Sequence, residues 1–217
     1  MSLSKRLIAC VNYTDGFNKL ADIGTDHALL PIHAVEQGYV STALAIDNKE
    51  GPFVIATANV LRHSLKEKIK VVLGDGIAKI DDETDVVVIS GMGGKLIADI
   101  LLKDSRRNVK RFVLQSNVDS DYIRRSLKEI NYKIIDELVI EENNKFYDII
   151  IVEPGSAVYT GFEEMFGPIN LKLKPYFFVK KIEKEIGQLE KILPRIEKQD
   201  QRIPIKARIQ LLKEALK

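Results

Sequence analysis

Short, almost wholly apolar runs alternate with helical stretches through the first 130 residues, and this alternation constrains the fold more than any other feature. Leu20–Ile23, Thr42–Ile46, Ile69–Leu73, Asp85–Ser90 and Arg111–Gln115 are the apolar runs. Each is too short for a packed helix and too continuously apolar for a half-exposed strand, so each reads as a strand buried on both faces. Residues 3–13, 28–37, 51–64, 95–103 and 120–130 carry helical spacing around them. Pro31 and Pro52 fall near the start of their helices, where a missing N–H removes no helical hydrogen bond. Strand and helix in this order predict a parallel, doubly wound α/β sheet.

After residue 130 the pattern changes. Tyr132–Glu141 and Phe146–Glu153 are two strands separated only by Glu142–Lys145. So short a connection demands an antiparallel pair. The sheet is therefore predicted to be mostly parallel with a terminal antiparallel strand. From Phe162 onward the chain reads as helical, divided by Pro168, Pro175, Pro194 and Pro204. Phe177–Leu193 and Ile203–Leu216 are amphipathic and predict an antiparallel helix pair. The expected organisation is a domain of residues 1–160 followed by a small helical domain of residues 161–217.

Charge sharpens that division. The whole chain has 33 basic and 31 acidic residues, a net of +2, which taken alone argues against a polyanion partner. Residues 1–171 hold 20 basic and 25 acidic side chains, whereas residues 172–217 hold 13 and 6. An acidic body thus carries a basic tail, and a basic tail suits an anionic partner. The single cysteine, Cys10, leaves no intramolecular disulfide to form, as in a reducing cytoplasm. No 18-residue apolar run exists, and the N-terminus shows no signal-peptide cleavage site, so the expectation is a cytoplasmic protein with no membrane span. His27, His33 and His63 lack metal-ligand spacing, and no metal site is expected.

In an open α/β sheet ligands bind beyond the carboxyl ends of the strands. Four of those ends carry suggestive groups. The first strand leads into Gly24-Thr25-Asp26-His27, where Gly24 permits a sharp turn and Asp26 would repel a pyrophosphate. The second ends at Asp47-Asn48, and the carboxylate there can accept both hydroxyls of a ribose. The third ends at Gly74-Asp75-Gly76, where Asp75 can accept from an exocyclic adenine amine. The fourth ends at Ser90-Gly91-Met92-Gly93-Gly94, a loop that a substrate can approach closely. Together these describe a site for an adenosine without phosphate but with positive charge. S-adenosylmethionine, with its sulfonium, ammonium and free ribose hydroxyls, fits.

Residues 22–31 (DIGTDHALLP), Gly74-Asp75-Gly76, Ser90–Gly94, Gln115-Ser116-Asn117 and Phe166-Gly167-Pro168 resemble the bacterial tRNA (adenine-22, N1) methyltransferases. The likeness covers essentially the whole chain, although Leu29 stands where that family commonly has tyrosine. It implies a class I methyltransferase domain with a Rossmann-like sheet, and a C-terminal coiled-coil-like domain that helps hold tRNA. By that resemblance Asp22, Gly24, Asp26, His27, Asp47, Asn48, Asp75, Gly76 and Gly91 line the cofactor site. Met92 and the Gln115–Asn117 turn would face the target base. Amides both donate and accept, so Gln115 and Asn117 are the candidates for handling the base edge during catalysis.

Lys180, Lys181, Lys184, Arg195 and Arg202 represent the dense, poorly balanced cations of the tail and are the candidate phosphate contacts. Lys103, Arg106, Arg107, Lys110, Arg111, Arg124 and Arg125 form a second basic cluster, readable as an RNA contact or as a solvated rim. Tyr176, Phe177 and Phe178 are readable as base-stacking or as helix-packing aromatics. Two other functions stay open at this level. One is an NAD-dependent oxidoreductase, which the missing second glycine and Asp26 disfavour. The other is a noncatalytic RNA-binding module with a relic cofactor site.

Overall fold

A computed structural model of the chain describes residues 3–103 and 109–217. Its first half runs α1 (Lys5–Asn12), β1 (Lys19–Ile23), α2 (Leu29–Glu36), β2 (Thr42–Asp47), α3 (Glu50–Arg62), β3 (Ile69–Leu73), β4 (Val86–Met92) and α4 (Gly94–Lys103). The second half runs β5 (Arg111–Ser116), α5 (Ser120–Ile130), β6 (Tyr132–Glu142), β7 (Lys145–Pro154), α6 (Gly161–Phe166), α7 (Pro168–Leu173), α8 (Tyr176–Ile192) and α9 (Gln199–Ala215). Every strand and helix expected of the first 160 residues is present within a few residues of its predicted ends.

The seven strands form one sheet in the order β3-β2-β1-β4-β5-β7-β6. The pairings from β3 across to β5 are parallel. β7 is antiparallel to both of its neighbours. Asn143 and Asn144 supply the two left-handed residues that a tight hairpin between β6 and β7 requires. The chain builds outward from β1 to β3, then returns and builds the other way from β4. The switch point between β1 and β4 is where such a sheet opens a crevice.

Burial on both sheet faces explains the continuous apolar runs. In β4, Val87 and Ile89 meet Ile97 and Leu101 of α4 and Ile123 and Leu127 of α5. Val86 and Val88 meet α1, α2 and α3 through Cys10, Leu30, Ala34 and Val60. A third cluster joins the tail to the sheet edge, with Phe178 and Ile182 of α8 and Leu212 of α9 packed around Val139 of β6 and Phe166 of α6.

A buried ion pair reinforces that joint. Arg124 Nε of α5 lies 2.7 Å from Glu137 Oε1 of β6, and their side chains are 1% and 0% exposed. Glu137 Oε2 accepts from the backbone N–H groups of Ile169 at 2.9 Å and Asn170 at 3.3 Å. Arg124 also donates to the carbonyl of Glu164 at 3.1 Å. One buried contact set therefore links α5, β6, α6 and α7.

Three readings of the sequence change here. Arg124 is not an RNA-facing rim residue, because its guanidinium is enclosed by Glu137 and α6. Phe178 is buried in the helical cluster and offers no stacking face, whereas Tyr176 and Phe177 are exposed. Pro204 does not divide the helical tail, because the last helix starts at Gln199 rather than Ile203 and runs through it. It removes only the hydrogen bond to the Asp200 carbonyl, one turn from the start at Gln199, so the helix tolerates it. Arg106 and Arg107 lie outside the described residues.

Candidate active site

The carboxyl ends of β1 to β4 open onto one cavity of about 550 Å³. Asp22, Gly24, Asp26, His27, Asp47, Asn48, Asp75, Gly76, Gly91 and Met92 all line it. The nine residues expected around the cofactor are thus brought together, and Met92 with them.

Local backbone geometry sets each of them. Gly24 has φ +74°, a left-handed conformation that favours glycine, and the terminal methyl of Met92 packs where a Cβ would stand. The N–H groups of Gly24 and Thr25 donate to the Ile46 carbonyl at 2.8 and 3.0 Å, which ties the β1 loop to the end of β2. Asp47 Oδ1 accepts from the Lys49 N–H at 3.0 Å, and Oδ2 from the Asp26 N–H at 3.3 Å. Each carboxylate oxygen keeps acceptor capacity for a ligand hydroxyl. Asp75 stands on the rim, 3.3 Å from Lys103 Nζ, and both side chains are 67% exposed. His27 is also on the rim, with Nε2 3.5 Å from Asp26.

Asp22 has a different environment. It is 3% exposed and accepts from the Thr25 hydroxyl at 2.7 Å. Burial pushes its carboxyl up to about 7; the Thr25 hydrogen bond opposes this and the neighbouring Asp47 charge adds to it. A folded-state value above the unfolded one means that the native protein holds this proton more tightly. Stability from this group is complete below the unfolded value near 4 and is lost as pH rises through about 7. Relative to an Asp22→Asn variant, the protein without ligand should lose about 4 kcal/mol between roughly pH 4 and pH 8. Urea unfolding of both proteins across that range checks this, and parallel curves would exclude it.

Gln115 and Asn117 do not line the cavity but stand behind it. Gln115 is fully buried in β5. Its Oε1 accepts from the Gly91 N–H at 3.0 Å, and its Nε2 donates to Asn117 Oδ1 at 3.2 Å. Asn117 Nδ2 donates to the Gly91 carbonyl at 2.7 Å. Gln115 thereby sets the Gly91 loop and the Asn117 amide, while Asn117 itself is exposed. Sequence reading missed a third member of this network. Arg6 of α1 donates to Gln115 Oε1 at 2.8 Å and also lines the cavity. Its only signal was a positive charge on a helix preceding an acidic site.

The tail cations are placed elsewhere. Lys180 pairs with Glu141 at 2.5 Å, Lys181 with Asp148 at 2.6 Å, and Lys184 donates to the Asn144 carbonyl at 2.7 Å. All three fasten α8 to the β6–β7 hairpin. Arg195, Lys198 and Lys206 are exposed. Arg202 is half-buried, with Nε enclosed and unpartnered among the described residues. No group of metal-ligating side chains occurs among the described residues, and no helix there is long and apolar enough to cross a membrane.

A sheet of this strand order, with an acidic, glycine-lined cleft at its switch point, defines a Rossmann-like methyltransferase. The sequence model of the tRNA (adenine(22)-N(1))-methyltransferase family matches residues 20–215. The Bacillus subtilis tRNA (adenine(22)-N(1))-methyltransferase is 36% identical, over 100% of this chain and 98% of its own length. The crystal structure of the B. subtilis M1A22 tRNA methyltransferase TrmK superposes with a TM-score of 0.87 at 32% identity, covering 100% of this chain and 99% of that one. M. capricolum TrmK, solved with S-adenosylhomocysteine, gives a TM-score of 0.86 at 29% identity, covering 99% and 97%. The chain belongs to the tRNA (adenine(22)-N(1))-methyltransferase family.

Proposed function

We infer that the chain transfers a methyl group from S-adenosylmethionine to N1 of the adenine at position 22 of tRNA. The observation that carries this reading is the convergence of nine motif residues on one cavity in a chain of this family.

The residues present fit the cofactor. Asp47 accepts the ribose hydroxyls and Asp75 the adenine amine, while Asp26 provides negative charge for a cationic ligand and Asp22 a carboxyl whose ionised form such a ligand favours. Gly24 and Gly91 keep side chains out of the cleft. When bound, the cofactor supplies a methyl group on a positively charged sulfur. Adenine N1 carries its own lone pair at neutral pH, so the protein needs no base to expose it. Its work is placement, and orientation alone can lower a barrier by several kcal/mol. The target base must leave its helix to reach the cleft. Asn117 meets the base edge, Met92 borders the reacting atoms, and Gln115 positions both through the Gly91 loop.

Residues 161–217 form the tRNA-holding unit in this reading. Arg195, Lys198, Arg202 and Lys206 contact phosphates, and Lys180, Lys181 and Lys184 hold the unit to the sheet. Work on tRNA suits a cytoplasmic enzyme. Because α6 and α7 share the buried Arg124–Glu137 contacts, this unit is better probed by substitution than by removal.

Asp47→Ala tests the cofactor assignment. Losing a charged acceptor should weaken S-adenosylhomocysteine about 10- to 100-fold. Calorimetry reads the change directly, and an unaltered affinity would remove Asp47 from the site.

A further inference from the structure

Asp148 of β7 holds both ends of the turn that carries Asn117. Its backbone pairs with Ser116, the last residue of β5, across the antiparallel ladder. Its carboxylate accepts from the Ser120 hydroxyl at 3.0 Å, and Ser120 is the first residue of α5. Only Asn117, Val118 and Asp119 lie between those two anchors. Asp119 takes a left-handed conformation at φ +58°, and its side chain makes no capping hydrogen bond to α5. The turn also reaches the β4 loop, where the Asn117 N–H donates to the Met92 carbonyl at 2.8 Å and the Val118 carbonyl accepts from Gly94 at 2.8 Å. Its place is thus set from β4 on one side and from Asp148 on the other.

The same carboxylate has a partner in the helical tail. Lys181 Nζ of α8 lies 2.6 Å from Asp148 Oδ2, the oxygen that also accepts from Ser120. The two side chains are 30% and 12% exposed, so the pair is largely shielded from water. Arg124 Nη1 donates to the Ser120 hydroxyl oxygen at 3.3 Å and adds a second hold on the start of α5. One chain of charge-assisted contacts therefore runs from α8 through Asp148 and Ser120 to the Asn117 turn.

We propose that Asp148 is a positioning residue for methyl transfer. It sets the Asn117 turn against the Gly91–Met92 loop, and its pairing with Lys181 makes that setting depend on how α8 is docked. The proposal rests on the reading that Asn117 meets the target base. It gives Lys181 a role opposite in its kinetics to phosphate contact. A phosphate contact holds tRNA, so its loss raises KM and weakens the salt dependence of binding. A tether to the reacting geometry acts on kcat instead.

Steady-state methylation of unmodified tRNA by the full chain, with kcat and KM resolved, tests this beside S-adenosylhomocysteine calorimetry. Ser120→Ala cuts the link to α5 with the smallest change. It should lower kcat about 10- to 100-fold, with KM for tRNA within about threefold and S-adenosylhomocysteine affinity within about twofold of the parent. Lys181→Met should lower kcat about 3- to 10-fold at the same KM. The double variant should fall no more than about twofold below Ser120→Ala, because both substitutions cut one chain. Unchanged kcat in Ser120→Ala, a loss confined to KM in Lys181→Met, or a fall in cofactor affinity that parallels kcat overturns the proposal. Fully additive losses in the double variant overturn the coupling to α8. Asn117→Ala separates the proposal from the reading beneath it. If that variant keeps the parent kcat, the base-side reading falls and the proposal with it. If it loses kcat while Ser120→Ala does not, the proposal alone falls.

Discussion

Glu137→Ala should unfold roughly 6–20 °C below the parent protein. Removing one partner of a buried ion pair typically destabilises by about 3–5 kcal/mol, and each kcal/mol lowers the midpoint of a chain this long by about 2–4 °C. Three features place this pair at the upper end. The Arg124 guanidinium would be left enclosed at 1% exposure. The N–H groups of Ile169 and Asn170, which open α7, would lose their acceptor. Gly167, at φ +91°, packs so close to the Glu137 carboxylate that no Cβ fits between them, so the surroundings are built around that group. The joint between the sheet and the helical tail should loosen with it. Replacing both partners, as in Arg124→Met with Glu137→Leu, removes the stranded charge and should recover much of the loss. Calorimetric unfolding of the single and double variants decides the matter. A single variant within about 1 kcal/mol of the parent would show that the pair does not hold the joint.

Gly94→Ala should reduce turnover about 100-fold while leaving cofactor affinity much closer to that of the parent. Gly94 opens α4, and its N–H donates to the Val118 carbonyl at 2.8 Å. A Cβ at this position would overlap the carbonyl of Asp119, a backbone group with no rotamer to escape into. The loop carrying Gly91 and Met92 must then move away from the turn carrying Asn117. Those are the two surfaces between which the target base is proposed to sit. A displacement of about 1 Å is enough to lose two orders of magnitude in a reaction that depends on alignment. Asp47 and Asp75 lie across the cleft at β2 and β3 and do not share the contact. Single-turnover rates with saturating tRNA, together with S-adenosylhomocysteine affinity, separate the two effects. Equal losses in both would mean that the substitution damages the whole cleft.

The parallel sheet was legible because strands buried on both faces read as short, continuously apolar runs, and here those runs alternate with helices. Runs such as Val86–Val88 tolerate no polar residue, since Val87 faces α4 and α5 while Val86 and Val88 face α1 to α3. The four strand-end motifs were legible for a related reason. Residues that must turn sharply or accept from a ribose have few alternatives, so Gly24 and Asp47 declare themselves. What stayed hidden depends on long-range partners. Arg124 and Arg125 are adjacent arginines, yet one is sealed against Glu137 and the other stands at the surface beside Asp121. Lys180, Lys181 and Lys184 read as a phosphate-binding run until β6 and β7 present Glu141, Asp148 and the Asn144 carbonyl to them. Arg6 was invisible because its partners are more than 100 residues away.

The opposition between acidic body and basic tail keeps its meaning with narrower membership. The body's charge lines a cleft for a cationic cofactor, and some of the tail's charge is already matched by the sheet edge. Arg195, Lys198 and Lys206 remain as the exposed cations proposed to meet RNA.

The most direct measurement is incubation of the protein with isotopically labelled S-adenosylmethionine and an unmodified tRNA transcript bearing adenine at position 22. Nuclease digestion and nucleoside mapping then locate the label. The account predicts label in N1-methyladenosine at position 22, and its loss when that adenine is replaced by another base. Label in a different nucleoside, at a different position, or absent from the RNA would contradict it.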